Sequence, residues 1–489
     1  MESTANQTKK GGESLKNQVR SAVIWRSGTQ IVGQLITWAA TFLVIRILNP
    51  ADYGLFAMTQ VVLVLLNMLN GYGLASGLIQ RESISAREKR QLFGMLILLN
   101  LVLAAIQIAG APLAAAYFRQ PMVADLLRVQ ALLYLTTPFI AFPFALLSRE
   151  MEFRRQAQVN FASAIAGAAA ALGGAFSGLG VWTLVLAPVV LFSVRAIGMM
   201  WAARAWMWPS FNFRGAGGLA RYGGLMATGQ LFWFVQSEAD VFIGGRYFDP
   251  HLLGIYTTSL FLTQIFVSKF VPPVNEVAFS AYSRIQNDRS AVGYAFVKSV
   301  RVIMVAAMPF YLGLAVTAQP LVAVVLGDKW VEAGDVVRLL ALAMPFMTVQ
   351  ILFAPASDAM GRPGISARNS ATGAVVLSLG FLIGVHWGVS GLALSWILAY
   401  PIYLYICGRR TLPVIGTDWR AIGSAAAPPV IAASAMAALV LLVSHALPPG
   451  MAALPELAIL VATGAASYAA WMLLFARATV REVWALVRR

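Results

Sequence analysis

"RILNPADYGLFA" (46–57) returns two hundred positions later as "RYFDPHLLGIYT" (246–257). Arg46/Arg246, Pro50/Pro250 and Gly54/Gly254 are identical, while Leu48/Phe248, Asn49/Asp249, Leu55/Ile255, Phe56/Tyr256 and Ala57/Thr257 are conservative pairs. Proline presets φ and glycine permits a tight reversal, so each copy reads as a hairpin connector. Turn chemistry alone does not require the recurring arginine. A second echo follows in the same order. "PLAAAYF" (112–118) resembles "PLVAVVLG" (320–327), and "LLRVQALL" (126–133) resembles "VVRLLALA" (336–343), aligning Arg128 with Arg338. Two echoes in one order imply an internal duplication.

Composition says what was duplicated. Of 489 residues, 59% are apolar and 11% charged, against roughly a quarter charged in ordinary globular proteins. Apolar runs of about twenty residues, the length that crosses a ~30 Å hydrocarbon layer, recur from end to end. They are too long and continuous for barrel strands. The chain therefore reads as an all-α polytopic membrane protein of about 14 transmembrane helices, at 22–47, 54–79, 91–118, 124–147, 157–178, 180–204, 219–245, 252–275, 298–318, 333–356, 367–386, 389–408, 422–446 and 453–475. Segments 205–218 and 321–332 read as interfacial. Residues 1–21 form a polar, basic tail (Lys9, Lys10, Lys16, Arg20), and no small-residue cleavage site follows the first apolar run, so that run is expected to be retained. A lone Cys407 and three scattered histidines leave no disulfide and no metal cluster to build.

With the amino terminus inside, 27 of the 36 Lys and Arg residues fall in inner segments and six in outer ones (Arg46, Arg119, Arg128, Arg246, Lys329, Arg338). The positive-inside rule then puts both termini in the cytoplasm. The net charge of +16 is mainly an orientation signal, with attraction to anionic headgroups of membrane lipids as a by-product, and gives little support to nucleic-acid binding. Both copies of the connector lie outside with six spans between them. The expected domains are a tail (1–21), an N-terminal six-helix lobe (22–204), a pseudo-symmetric C-terminal lobe (219–408) and two further helices (422–475). Parallel six-span repeats are a transporter architecture, in which two bundles rock to expose a cavity to alternate sides.

Polar residues inside lipid are expected to face such a cavity or to bond neighbouring helices. Span one carries a stripe of Arg26, Gln30, Gln34, Thr37 and Thr41; span two adds Gln60, Asn67 and Asn70, and span three Asn100 and Gln107. At 1.5 Å per residue, Arg26 sits roughly 7 Å inside, Lys269 roughly 9 Å and Arg195 roughly 13 Å; Arg301 lies near the inner end of span nine. These four suit an anionic headgroup such as a diphosphate, since guanidinium binds oxygens bidentately. Snorkelling to the inner interface accounts equally for Arg26, Lys269 and Arg301, whereas Arg195 is deepest. On span seven, Glu238 and Asp240 point to different sides of a helix, and Asp240 shares a face with Gln230 and Ser237. A carboxylate there either binds a coupling proton or sodium ion or pairs structurally with an arginine.

These stretches, with "GYGLASGLIQRESISAREKRQLF" (71–93), "LSREMEFRRQA" (147–157), "EADVFIGGRYFDPHLLGIY" (238–256), "FSAYSRIQNDR" (279–289) and "PLVAVVLGDKW" (320–330), resemble the Wzx-type polysaccharide repeat-unit flippases of the multidrug/oligosaccharidyl-lipid/polysaccharide exporter superfamily. The resemblance runs over about residues 20–410. It implies a pair of six-helix lobes moving a polyprenyl-diphosphate-linked oligosaccharide from the inner to the outer leaflet of the bacterial inner membrane, for exopolysaccharide or lipopolysaccharide assembly. It implies partnership with polysaccharide polymerase or export machinery, and it matches Asp240 to the family's span-seven carboxylate. No cofactor is implied beyond a coupling H+ or Na+. The last two helices either form a groove for the polyprenyl tail or are passive.

The nearest rival is a multidrug/cation antiporter of the same superfamily, which favours acidic pockets; here the charges in the inner halves of the spans are Arg26, Arg195 and Lys269. A membrane glycosyltransferase or polymerase needs catalytic carboxylates on a sizeable loop. The longest hydrophilic connector, 276–297, holds only Glu276 and Asp288 as acids, and no nucleophile–base set, phosphate loop or metal spacing occurs. The reading is therefore not an enzyme. A passive scaffold would not need the polar stripes.

Overall fold

A computed structural model describes residues 32–70, 85–212 and 217–487 of the chain. The basic tail, Arg26, Gln30 and the stretch 71–84 lie outside the described residues, as do the side chains of 217–230. Two compact units divide at Gln230/Leu231.

The first unit contains α1 (Val32–Ile47), α2 (Pro50–Asn67), α3 (Ala86–Phe118), α4 (Met122–Gln130), α5 (Leu132–Thr136), α6 (Pro138–Arg149), α7 (Phe153–Phe176) and α8 (Val181–Ala202). The predicted fourth span is thus three short helices in line. Pro138 supplies no amide, so one ladder bond is missing there, while the Thr137 amide (3.2 Å) and hydroxyl (3.0 Å) both donate to the Leu133 carbonyl. Leu92, Phe93 and Leu96 of α3 pack on Ala141, Phe142 and Ala145 of α6, while Leu63 and Leu66 of α2 pack on Leu103 and Tyr134. Residues 205–212, read as interfacial, are laid along the start of α3: the Ser210 amide donates to the Arg90 carbonyl at 2.9 Å and the Gln91 side-chain amide to Asn212 O at 2.6 Å. Gly94 makes this approach feasible, because a Cβ there would overlap the Ser210 carbonyl.

The helix α9 (Gly217–Tyr247) enters the second unit at Leu231, followed by α10 (Pro250–Arg284), α11 (Arg289–Val316), α12 (Ala318–Val325), α13 (Ala333–Ile351), α14 (Phe353–Ala359), α15 (Pro363–Gly384), α16 (Gly388–Ile415), α17 (Trp419–Ala446), α18 (Ala453–Phe475) and α19 (Arg477–Val487). The predicted hydrophilic connector 276–297 is mostly helical, since α10 runs on to Arg284 and α11 starts at Arg289. Continuing a helix satisfies backbone groups without demanding apolar side chains beyond the hydrocarbon. Asp288 caps α11, its Oδ1 accepting from the Ser290 amide (2.9 Å), the Ser290 hydroxyl (2.7 Å) and the Ala291 amide (3.1 Å). Trp330, in the segment 321–332 read as interfacial, is fully buried. Fully buried aromatics (Tyr256, Tyr311, Phe353, Phe381, Tyr403) form the core of this unit. The last two predicted spans pack on it: Ala432 of α17 meets Met472 of α18, and the Tyr468 hydroxyl donates to Val305 O of α11 at 2.8 Å.

Among the described residues, eleven helical stretches are long and apolar enough to cross a membrane, and α1 is a shorter apolar helix. One of the eleven, Pro363–Ile415, contains both α15 and α16, separated at Val385–Trp387 before Gly388 at φ +74°. The protein is an all-helical, multi-pass membrane protein.

The echoed connectors have the same local geometry. Asn49 (φ −96°, ψ 155°) and Asp249 (φ −69°, ψ 167°) are extended N-cap residues, each followed by a proline at the first helical position. Asp52 Oδ2 accepts from the Asn49 amide at 3.0 Å, and Asp249 Oδ1 accepts from the Leu252 amide at 2.8 Å. The second echo matches as well: Arg128 reaches Asp125 at 2.8 Å, and Arg338 reaches Asp335 at 3.8 Å.

Candidate functional site

The first unit holds a polar cavity of about 480 Å³. Phe56, Gln60, Leu63 and Asn67 line it from α2; Val185, Pro188, Phe192 and Arg195 line it from α8. Those spacings, alternating three and four residues, place each set on one face of its helix. Asn70, Gln130, Leu133 and Thr137 complete the wall. Arg195 is fixed on two sides. Its Nε donates to the Ser163 hydroxyl on α7 at 3.3 Å, and its guanidinium lies 5.4 Å from the centre of the Phe192 ring. Ser163 is fully buried and donates in turn to Asn160 O at 2.8 Å. Gln130, also buried, donates from Nε2 to the Thr59 hydroxyl at 2.9 Å, while its Oε1 accepts no hydrogen bond from the described residues. Among the described residues the lining therefore carries one positive charge, several amides, two aromatic rings and no acid. That combination suits an anion attached to a hydroxyl-rich body: guanidinium takes phosphate oxygens, and amides take hydroxyls.

The second unit has a polar cluster of another kind. Asp240 on α9 is 1% exposed. Its Oδ2 accepts from the Tyr256 hydroxyl at 2.6 Å and its Oδ1 from the Val241 amide at 2.8 Å. Tyr256 accepts in turn from Trp396 Nε1 at 2.8 Å, and Trp396 stacks on Tyr400 with centroids 5.3 Å apart. Gln350 Nε2 donates to the Tyr403 hydroxyl at 3.0 Å. Each oxygen of the carboxylate has a donor, as a buried charge requires.

Several predicted residues come together and others do not. Gln60, Asn67, Asn70 and Arg195 share the first-unit cavity. Asn100 and Gln107 do not line it. Both are buried, and they bond neighbouring chain segments: Asn100 Nδ2 donates to Asn70 O at 2.9 Å, and Gln107 Nε2 to Leu127 O at 2.7 Å. Thr37 and Thr41 turn their hydroxyls back to Gly33 O and Thr37 O, both at 2.8 Å, and Gln34 is half-buried on the same helix. Arg301 is paired with Glu482 of α19, which Lys298 also approaches at 3.9 Å, so its charge is already matched by a carboxylate. Lys269 is exposed on α10, and Glu238 is half-buried on α9. For Asp240 the sequence left two expectations open, an ion site or an arginine partner; the structure puts the Tyr256 hydroxyl at its Oδ2. Among the described residues no group of three or more His, Cys, Asp and Glu side chains could hold a metal ion.

Sequence reasoning missed Gln130, Thr137, Ser163 and Phe192 in the first unit and Trp396 in the second. Gln130 and Thr137 had a usable signal, being polar residues inside an apolar run at a spacing of seven. Ser163 had none, because one serine among alanines carries no pattern. Tyr256 sits in the quoted connector itself, where it replaces Phe56.

Polytopic membrane transporters share this fold. The structure of the lipid II flippase MurJ in an inward closed conformation matches with a TM-score of 0.76 at 13% identity, covering 94% of this chain and all of that one. An inward-facing multidrug resistance MATE family transporter of the MOP superfamily matches with a TM-score of 0.57 at 17% identity, covering 81% of this chain and 99% of that one. The particular family follows from sequence: residues 43–335 match the family described as polysaccharide biosynthesis protein, and the chain belongs to it. Relatives include the succinoglycan biosynthesis transport protein ExoT of Rhizobium meliloti, 25% identical with 76% of this chain and 74% of that protein covered. The teichuronic acid biosynthesis protein TuaB of Bacillus subtilis is 23% identical over 93% and 95%. The lipopolysaccharide biosynthesis protein WzxC of Escherichia coli is 22% identical over 83% and 84%.

Proposed function

We propose that this protein is a flippase, and not an enzyme, that carries a polyprenyl-diphosphate-linked oligosaccharide repeat unit from the cytoplasmic to the outer leaflet of a bacterial inner membrane. Family membership and relatives named for succinoglycan transport and for teichuronic acid and lipopolysaccharide biosynthesis support this reading. The observation that carries it is the first-unit cavity, where Arg195, fixed by Ser163 and Phe192, meets Gln60, Asn67 and Gln130. In this reading Arg195 takes the diphosphate and the amides take sugar hydroxyls. Spans 1–6 and 7–12 act as two lobes in an alternating-access cycle with both termini cytoplasmic, and the last two helices are accessory. Polymerase or export machinery on the outer side receives the product. Coupling to a proton or sodium ion falls to Glu238 and Asp240, with Asp240 able to take part only by releasing Tyr256.

A strain lacking the gene is expected to accumulate lipid-linked repeat units on the cytoplasmic leaflet, relieved by the intact gene. Normal outward appearance of those units in the deletion strain rejects the proposal. A cationic-drug antiporter, the alternative the MATE fold allows, is disfavoured by an arginine in the cavity. Drug efflux that competes with repeat-unit export would restore it.

A further inference from the structure

The mechanism above makes no use of a second cavity, of about 470 Å³, in the second unit. Arg362, Gly364 and Arg368 at the start of α15 and Arg410 of α16 line it, with no acidic residue among the described lining residues. Two of the guanidinium groups are held in place. Arg410 Nη1 donates to the Thr372 hydroxyl at 2.6 Å and to Arg368 O at 3.2 Å, and Arg368 Nε donates to Gly364 O at 3.2 Å. The nearby acid, Asp358, does not line the cavity and accepts from the Ser366 hydroxyl at 2.7 Å. The three arginines are exposed, and three cations around one open space give it a positive potential that attracts an anion. The N-terminal turn of α15, a 22-residue helix, lines the same space and adds its positive dipole end. Open space lies where a Cβ would stand on Gly361 or Gly364, and Gly361 has φ +71°. A ligand oxygen thus has room to reach the backbone.

We propose that this cavity binds a phosphate-bearing anion, held by Arg362, Arg368 and Arg410 at the α15 N-terminus. It belongs to the second unit, shares no residue with the Arg195 cavity, and does not depend on the transport reading. Phosphate of this kind comes either from an anionic lipid headgroup or from a soluble diphosphate.

The test uses the full-length protein in nanodiscs, as wild type and as Arg195→Gln so that the first cavity is discounted. In one arm, phosphatidylcholine discs are titrated with inorganic pyrophosphate. In the other, phosphatidylglycerol replaces phosphatidylcholine stepwise. Thermal unfolding and, for lipid, native mass spectrometry report binding, since a ligand that binds only the folded protein raises its stability. Saturable binding is expected in at least one arm, retained in Arg195→Gln and weakened about tenfold or more in Arg368→Gln/Arg410→Gln, as loss of charge-assisted bonds requires. Response to pyrophosphate identifies a soluble ligand; response to phosphatidylglycerol alone identifies a headgroup. Arg362→Gln, on the exposed connector, is expected to weaken binding roughly threefold and serves if the double variant misfolds. No response in either arm overturns the proposal. So does binding that Arg362→Gln and Arg368→Gln/Arg410→Gln leave at wild-type strength.

Discussion

Read at an offset of two hundred residues, the two units carry similar connectors but side chains of opposite character around them. Ala40 and Phe56 in the first unit correspond to Asp240 and Tyr256 in the second; Gln60 and Asn67 correspond to Leu260 and Val267. Where the first unit has an apolar pair, the second has a hydrogen-bonded acid and phenol 2.6 Å apart. Where the second has two buried aliphatics, the first has two amides on a cavity wall. The connectors share an extended N-cap residue, Asn49 or Asp249, followed by a proline at the first helical position. At these positions the residues that set helix geometry agree, whereas those on the cavity wall and in the buried cluster differ. The Arg195 site is a basic, open receptacle, whereas the Asp240 site is a closed network satisfied by its own side chains.

The comparison breaks most visibly at Arg195. Replacing it with Gln removes the one charge that the described residues place in the first cavity, and a hydrogen bond to a charged group contributes about 1.5–3 kcal/mol. Repeat-unit export measured in inverted vesicles is expected to fall by roughly ten- to a hundredfold at unchanged protein abundance. Arg195→Lys is expected to recover only part of it, since lysine lacks the planar fork. In the second unit the largest effect should instead be on stability. Tyr256→Phe leaves Asp240 Oδ2 and Trp396 Nε1 buried without a partner, at about 1–3 kcal/mol for each group, read as a lower unfolding temperature. Unaltered melting of Tyr256→Phe with abolished export would mean that the network is poised for transport and not closed.

A matched pair of substitutions sharpens the contrast. Leu260→Gln places an amide in the core of the second unit and is expected to destabilise it by about 1–3 kcal/mol, whereas Gln60→Leu at the corresponding position should melt like wild type and export poorly. Gln107→Leu removes a bond to the Leu127 carbonyl, not a cavity contact, so a loss of roughly 0.6–1.7 kcal/mol in stability is expected with transport per folded molecule unchanged. The smallest effect concerns Asp288, outside the membrane. The Ser290 hydroxyl and then the Ala291 amide hold its carboxyl below the ordinary value of 3.8. A lowered folded-state value stabilises the α11 cap fully above the unfolded pKa, and that contribution is lost as pH falls through the lower value. Asp288→Asn should flatten the slight acid sensitivity of hydrogen exchange at Ser290 and Ala291.

Helices and connectors were legible in the sequence because they depend on local signals: apolar run length, and proline after Asn49 or Asp249. Arg195 was legible because a deep arginine has few bland explanations. What the sequence did not carry was partner choice. Spacing put Asn100 and Gln107 on the same footing as Asn67, yet only packing decides whether an amide meets a carbonyl or an open wall. Arg301 looked available because its partner, Glu482, lies 181 positions away in the C-terminal helix. Asp240 found a phenol from the next helix, and no pattern in either span announced that pairing. The break before α6 was foreshadowed by Pro138, but the break at Ala131 had no proline to mark it and the continuous hydrophobicity hid both.

The central claim is that the first-unit cavity receives the diphosphate-linked glycan, and a photoreactive residue at Asn67 tests it most directly. On illumination in membranes making the repeat unit, the account expects a cross-link to lipid-linked oligosaccharide that largely disappears when Arg195→Gln is added and persists with Tyr256→Phe. Absence of that cross-link in an export-competent protein, or one of equal yield with and without Arg195, would contradict it.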